Sequence, residues 1–76
     1  MTKEQTIEKL LEVRALVLAS FESKKWVPLH LVANHIDAHI IEAMEVHGLV
    51  EVKVGHTKPT AFRVKAAGYK LAVQYR

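Results

Sequence analysis

The sequence has no cysteine among its 76 residues, which excludes both a disulfide framework and any thiolate metal site. It has no apolar run long enough to cross a bilayer. The N-terminal residues 1–5 are polar apart from the initial methionine, unlike a signal peptide. We therefore expect a soluble protein of the cytoplasm rather than a disulfide-stabilised secreted domain.

The usual marks of a catalytic site are also missing. There is no glycine-rich phosphate loop and no serine in a recognisable nucleophile turn. Glu42 and Glu45 lie three residues apart, but the sequence around them predicts no apolar pocket that would suit them to acid–base catalysis. A chain this short also offers little concave surface for a substrate. We expect neither enzymatic activity nor a bound cofactor.

The sequence contains enough hydrophobic residues to form one core. Half of the residues are hydrophobic, which argues against disorder and predicts a single domain over residues 1–76. The charges are divided unevenly along the chain. Residues 1–52 hold five cations and eight acids, whereas residues 53–76 hold six cations and no acid. Such a division indicates a polyanionic partner for the C-terminal part.

The N-terminal third predicts one helix over residues 3–22. No glycine or proline occurs before Glu22, and Thr2 with Gln5 fits a capping box. Apolar side chains recur at spacings of three, four and seven residues: Ile7, Leu10, Leu11, Val17, Leu18 and Phe21. From Val13 onward, further alanines and a leucine widen this surface, which favours packing on two sides or against a second subunit.

The middle of the chain predicts two helices joined by a turn over residues 28–47. Pro28 disfavours helix in the residue before it, so Trp26–Val27 should be extended, and Pro28 itself suits the first turn of a short second helix. Asp37 is a good N-cap for a third helix, and Gly48 can end that helix in a left-handed conformation.

The last third predicts a β-hairpin over residues 49–65. Valines alternate with polar residues from Val50 to Val54, and a second alternating segment follows the turn at residues 55–59. Residues 66–75 are ambiguous, since Tyr69, Leu71, Val73 and Tyr75 alternate as in a strand, whereas the alanines favour a helix. We predict a C-terminal helix and keep a strand as the alternative.

Residues 32–72 resemble the DNA-binding core of MarR-like and PadR-like transcriptional regulators. The resemblance rests on Ile41-x-x-Met44-x-x-x-Gly48-Leu49-Val50, on Phe62-Arg63-Val64 and on Ala67-Gly68-x-x-Leu71-Ala72. It implies an α+β, mostly α, winged helix-turn-helix fold, with three helices, a two-stranded hairpin wing and a short C-terminal helix. The joint at residues 32–37 is shorter than is usual in that group and lacks its customary glycine.

The hairpin is the strongest functional feature of the sequence. Its cations should face outward or lie at the tip, free of nearby acids. There they can contact the DNA backbone or the minor groove. The two lysines that precede the extended segment Trp26–Val27 can add to the same contacts. The predicted set is Lys24, Lys25, Lys53, His56, Lys58, Arg63 and Lys65. The alternative is an edge hairpin that uses lysines to prevent aggregation. Trp26 is expected to pack in the core or at a dimer interface rather than stack on bases.

The third predicted helix is poorly equipped for phosphates. It contains no lysine or arginine, but the resemblance places Ala38, His39 and Glu42 where base edges would be read, and glutamate can accept a hydrogen bond from cytosine. A solvated helix surface explains the same residues equally well. We therefore consider two functions: binding of double-stranded DNA as a transcriptional regulator, or docking of a protein on the acidic third helix.

His35 and His39 are four residues apart, a spacing that suits metal ligands on one helix. A helix break between them and the lack of a clear third ligand argue against a metal site, and we predict none. We also expect a homodimer formed by the second half of the first helix and by the C-terminal helix, because two-fold symmetry lets two weak half-site contacts add.

Overall fold

The computed structural model describes residues 1–75. Within them, four α-helices accompany a three-stranded antiparallel sheet, which confirms the coarse expectation of an α+β, mostly helical fold. The elements in chain order are α1 (Lys3–Glu12), α2 (Arg14–Ser23), β1 (Val27–Pro28), a 3-10 helix (Leu29–Val32), α3 (Ala38–Val46), β2 (Val50–Val54), β3 (Pro59–Val64) and α4 (Ala66–Gln74).

The single N-terminal helix predicted over residues 3–22 is in fact two helices. The chain leaves helical geometry at Val13, with φ −115° and ψ 33°, although neither glycine nor proline is present there. The bend keeps Leu10, Val13 and Val17 in one core, while α1 packs on α3 and α4 and α2 packs on α4 and β3. Both halves contact α4, but α1 also reaches α3 and α2 also reaches β3, so tertiary packing favours the break, and local sequence carries no signal for it.

The predicted second helix is only one 3-10 turn. Lys24 ends α2 in the left-handed region, at φ 57°, and β1 follows after two residues. The backbone N–H groups of His35 and Ile36 both donate to the carbonyl of Val32, which closes the turn after the 3-10 helix. Pro28 belongs to the sheet, so only four residues remain for helix before this turn.

The sheet has one strand more than the predicted hairpin. β3 lies between β1 and β2 and pairs antiparallel with both. The register sets Val27 opposite Phe62 and Val52 opposite Phe62, so these three side chains share one face, and Phe62 is fully buried there. Proline has no N–H to donate to a neighbouring strand, which fits a two-residue edge strand that ends at Pro28.

The opposite side of the sheet is defined by the residues that alternate with this buried set. They are Trp26, which precedes β1, Glu51 and Lys53 of β2, Arg63 of β3 and Lys65, which follows β3. We call this side the outer sheet face. The helices supply the other half of the core: Leu10, Val17, Ile41 and Met44 are fully buried with the inner-facing strand residues.

Residues 66–74 are helical, as predicted, and the alternative of a strand is wrong. Gly68 lets α4 lie directly on the chain at Leu49, where the Cβ atom of any other residue would stand 2.5 Å from the Leu49 carbonyl oxygen. Arg14 of α2 donates from Nε to the carbonyl oxygen of Ala72 at 2.7 Å, which ties α2 to the last turn of α4. Among residues 1–75, no helix has both the length and the apolar character that a membrane span requires.

Candidate nucleic-acid interface

The β2–β3 hairpin displays its cations through a short, internally bonded loop. Gly55 donates its N–H to the carbonyl oxygen of Lys58 at 2.9 Å, and the Thr60 hydroxyl donates to the carbonyl oxygen of Lys53 at 3.2 Å. Lys53, His56 and Lys58 are all exposed. Three of the predicted contact residues therefore project from one protruding hairpin.

Arg63 does not face solvent as a free cation. Its Nη2 and Nε atoms donate to one oxygen of Glu51, at 2.6 Å and 3.1 Å, and its guanidinium lies 4.6 Å from the centroid of the Trp26 ring. The expectation that no acid would lie near the hairpin cations is wrong, because the register sets Glu51 directly opposite Arg63. Glu51 therefore offsets part of the charge that Arg63 would offer to a phosphate.

Trp26 lies on the surface and not in the core. The residue is 36% exposed, and two cations lie near its ring, the guanidinium of Arg63 at 4.6 Å and the Nζ atom of Lys53 at 5.9 Å from the centroid. Of the two expected locations, the core is therefore wrong, and the dimer interface stays a prediction. Strand alternation is the signal that could have found this position, since Val27 next to it is buried on the inner face and Trp26 must point the other way.

Lys24 joins the same surface from α2. Together with Phe21, Arg63 and Val64 it lines an open cleft of about 300 Å³ between the end of α2 and β3. Phe21 stacks on Tyr69 of α4, with ring centroids 4.3 Å apart, and so gives the cleft an apolar wall. Lys25 is exposed beside Trp26 in the chain. The fold thus brings Lys24 and Arg63, 39 positions apart in the sequence, to one cleft.

The lysines of this surface remain uncompensated. The ion pairs within residues 1–75 are Lys9–Glu12, His35–Glu12 and Arg63–Glu51. None of these pairs in the described chain involves the exposed lysines of the α2–β1 connection, the hairpin and the start of α4, which are Lys24, Lys25, Lys53, Lys58 and Lys65. We call these five side chains the lysine set. Lys53 lies 5.9 Å from the Trp26 ring, Lys24 lines the cleft with Arg63, Lys25 precedes Trp26 in the chain, and the other two lie in the hairpin loop and directly after β3.

The residues predicted to read bases lie elsewhere. Ala38 is half-buried, and His39 and Glu42 are exposed on α3, whose Ile41 and Met44 pack against the inner side of the sheet. Asp37 begins α3 by accepting the N–H of Ile40 at 2.9 Å, as a capping residue does. The structure therefore does not bring the exposed positions of α3 together with Trp26 and its neighbours.

The face of α3 that meets solvent is acidic and partly apolar. Glu42 and Glu45 are exposed, and Val46 is 82% exposed at the end of the helix. An apolar side chain so open to water, flanked by carboxylates, differs in character from the lysine set across the sheet. The two sides of the molecule are thus suited to partners of opposite charge.

His35 makes a side-chain contact with Glu12 that the sequence did not indicate. Its Nδ1 atom lies 3.0 Å from a carboxylate oxygen of Glu12, and it belongs to the turn before α3, whereas His39 lies within α3. The hydrogen bond with His35 lowers the pKa of Glu12 from its ordinary value, with a smaller lowering from Lys9. Within residues 1–75, no three His, Asp or Glu side chains are grouped as a metal site would require.

Comparison with known proteins returns nothing at a significant level, whether against protein-family models, curated proteins or solved structures.

Proposed function

We propose that this chain is a winged helix-turn-helix protein that binds double-stranded DNA and regulates transcription in the cytoplasm by occupying its site. The order of elements supports the proposal, because a helix, a short strand, a helical turn, a helix and a hairpin succeed one another in that order. The pairing order β1–β3–β2 supports it as well, since it joins the strand before the helical turn to the hairpin.

The observation that carries the proposal is the lysine set. Five exposed lysines without carboxylate partners in the described chain lie on one side of the sheet and on its hairpin. Such cations bind phosphates through release of condensed counterions, whatever the base sequence. Four phosphate contacts would give a slope of about −3 to −4 in a plot of log affinity against log salt concentration.

The third helix contributes less in this proposal than the hairpin. Ala38, His39 and Glu42 would read base edges, with Glu42 accepting a hydrogen bond from cytosine. The carboxylates of α3 oppose the approach of phosphates, so most of the affinity comes from the lysine set and modest sequence preference from α3. Arg63, whose charge is offset by Glu51, orients the neighbouring ring and contributes less to duplex binding than the lysines do.

The test is a titration of labelled random duplex at several salt concentrations. The double change Lys53→Glu with Lys58→Glu should abolish binding at moderate salt and flatten the salt slope by about two. The double change Lys3→Glu with Lys70→Glu alters net charge equally, but on the helical side, and should reduce affinity far less. Absence of duplex binding by the unaltered protein even at low salt would remove the proposal.

A homodimer is the second part of the proposal. Leu16 of α2 is 39% exposed, and Val73 and Tyr75 at the end of α4 are 44% and 50% exposed. These apolar side chains belong to the two segments that the sequence indicated as an interface, and a second copy would cover them. Sedimentation equilibrium should show a dimer for the unaltered chain and a monomer for Leu16→Glu. A monomer in both cases would contradict this part.

A second function is supported by one observation, the exposed Val46 beside Glu42 and Glu45. In a protein-binding adaptor, this face of α3 would dock a basic segment with an apolar anchor. The change Glu42→Gln with Glu45→Gln separates the two functions, because it should weaken a protein partner and strengthen DNA binding. A double change that leaves both affinities unaltered would count against any role of α3 in binding.

A further inference from the structure

Trp26 is an unusual side chain to leave on a surface. Among residues 1–75 it is the sole tryptophan, and its indole stays 36% exposed beside Arg63 and Lys53 rather than in the core. An aromatic ring with cations around it offers a base a flat apolar surface and offers the attached phosphate a positive environment. The ring is therefore suited to a partner that carries both features.

The cleft next to the ring supplies the second half of such a site. Lys24 and Arg63 line it, and Phe21 and Val64 form its apolar walls. Arg63 belongs to both halves, since its guanidinium lies 4.6 Å from the indole centroid. An aromatic surface and a two-cation cleft that share one side chain match the base and the phosphate of one nucleotide.

We propose that Trp26, Arg63 and Lys24 form a site for an unpaired nucleotide, with its base stacked on the indole and its phosphate held in the cleft. The inference rests on the nucleic-acid binding proposed above and names the form of nucleic acid that this part of the surface prefers. Bases in an intact duplex are stacked on one another, so only an unpaired or terminal base can reach Trp26.

Two carboxylates lie near the residues that form the phosphate half of the site. Glu51 holds Arg63 in place through Nη2 and Nε and reduces its net charge. Glu22, near the end of α2, lies 3.5 Å from the Tyr69 hydroxyl. Lys24 therefore supplies the main free charge for the phosphate, while the role of Arg63 is to position the indole and to add a directional donor.

The test compares three probes: a 12-residue oligothymidylate, a random duplex of the same length and thymidine monophosphate. The oligothymidylate should quench the emission of Trp26, because stacking of a base brings it into contact with the indole. Trp26→Ala should weaken its binding by about 5- to 150-fold, the range for loss of one base–aromatic stack, while binding of the duplex changes less than about 2-fold. Lys24→Ala should lower the salt slope for the oligothymidylate by about one.

Matched variants keep the test independent of folding defects. Trp26→Phe preserves a stacking ring and should retain most of the affinity. Lys3→Ala removes an exposed cation of α1, is the matched control for Lys24→Ala, and should leave the salt slope unchanged. Equal losses for duplex and single strand in Trp26→Ala would overturn the inference, and so would a folded Trp26→Phe that binds as poorly as Trp26→Ala.

The probes also separate this inference from the proposed function. Duplex binding without any response to oligothymidylate overturns the nucleotide site alone, whereas no binding of either polymer at low salt overturns both. Saturable quenching by thymidine monophosphate as tight as by the polymer would support the site and identify a free nucleotide as its source. Binding of the polymer alone would support it with a nucleic-acid strand as the source.

Discussion

Replacement of Gly68 by alanine tests how closely α4 is seated on the sheet. In an exposed helix this change would stabilise the protein by about 1 kcal/mol, since alanine has the higher helix propensity. Here the new Cβ atom would stand 2.5 Å from the Leu49 carbonyl oxygen and 3.2 Å from Cγ1 of Val64. The first neighbour is backbone and cannot rotate away, and it also accepts the N–H of Lys65 at 3.0 Å.

The cost of relieving this contact follows from the same geometry. Displacing α4 should cost about 1–3 kcal/mol for overpacking, and weakening of the Lys65–Leu49 hydrogen bond adds about 1 kcal/mol. After subtraction of the propensity gain, Gly68→Ala should destabilise the protein by about 1–3 kcal/mol. For a domain of this size, the melting temperature should fall by roughly 5 to 20 °C.

Urea and thermal unfolding followed by circular dichroism measure this change, and two positions serve as references. Ala67 is exposed in the same helix, so Ala67→Gly should cost only about 1 kcal/mol by propensity. Gly48 has φ +75° with nothing within 4 Å of a Cβ position, so Gly48→Ala should cost about 1 kcal/mol by backbone strain alone. A Gly68→Ala protein as stable as the unaltered chain would refute the close seating of α4.

Three further changes have defined outcomes. Arg14→Met keeps the apolar stem but loses the hydrogen bond to the end of α4, and chemical denaturation should show a loss of about 1–2 kcal/mol, with no loss if that bond is unimportant. Glu12→Gln should lower the melting temperature at neutral pH, because the lowered pKa of Glu12 stabilises the fold above its ordinary value of 4.5. This contribution is lost as the pH falls through the lowered pKa of Glu12 in the folded state. The melting temperatures of the unaltered protein and of Glu12→Gln should therefore converge below that pH. A constant difference down to the most acidic pH at which the protein stays folded would contradict the role of the contact with His35. Glu51→Gln should raise affinity for nucleic acid by about 2- to 5-fold at low salt by freeing the charge of Arg63, and unchanged affinity in a titration would show that the pair does not limit binding.

The acidic face of α3 and the lysine set belong to different parts of the fold. The fold does not mix the two regions on one surface, because α3 packs on the inner side of the sheet and the lysines lie on its outer side and hairpin. A polyanion that approaches the lysine set is therefore kept away from the carboxylates of α3 by the body of the domain. At physiological salt, where charges are screened within about 8 Å, such separation is sufficient to keep the positive side attractive.

The sequence by itself determined the features that depend on neighbouring residues. Thr2 and Gln5 form the predicted capping box, Asp37 caps α3, and Gly48 takes the left-handed conformation after it. Alternation of apolar and polar residues placed both strands of the hairpin. Each of these features depends on residues that are close together in the sequence, so the sequence alone predicts it.

Only the tertiary structure decided the features that need partners far along the chain. Val13 interrupts the first helix because, besides α4, one half also reaches α3 and the other also reaches β3, and β1 becomes a strand because β3 offers it an edge. Arg63 pairs with Glu51 and lies beside the Trp26 indole because strand register sets both next to the same guanidinium. Register depends on the assembled core, and no local pattern encodes which charge will stand opposite which.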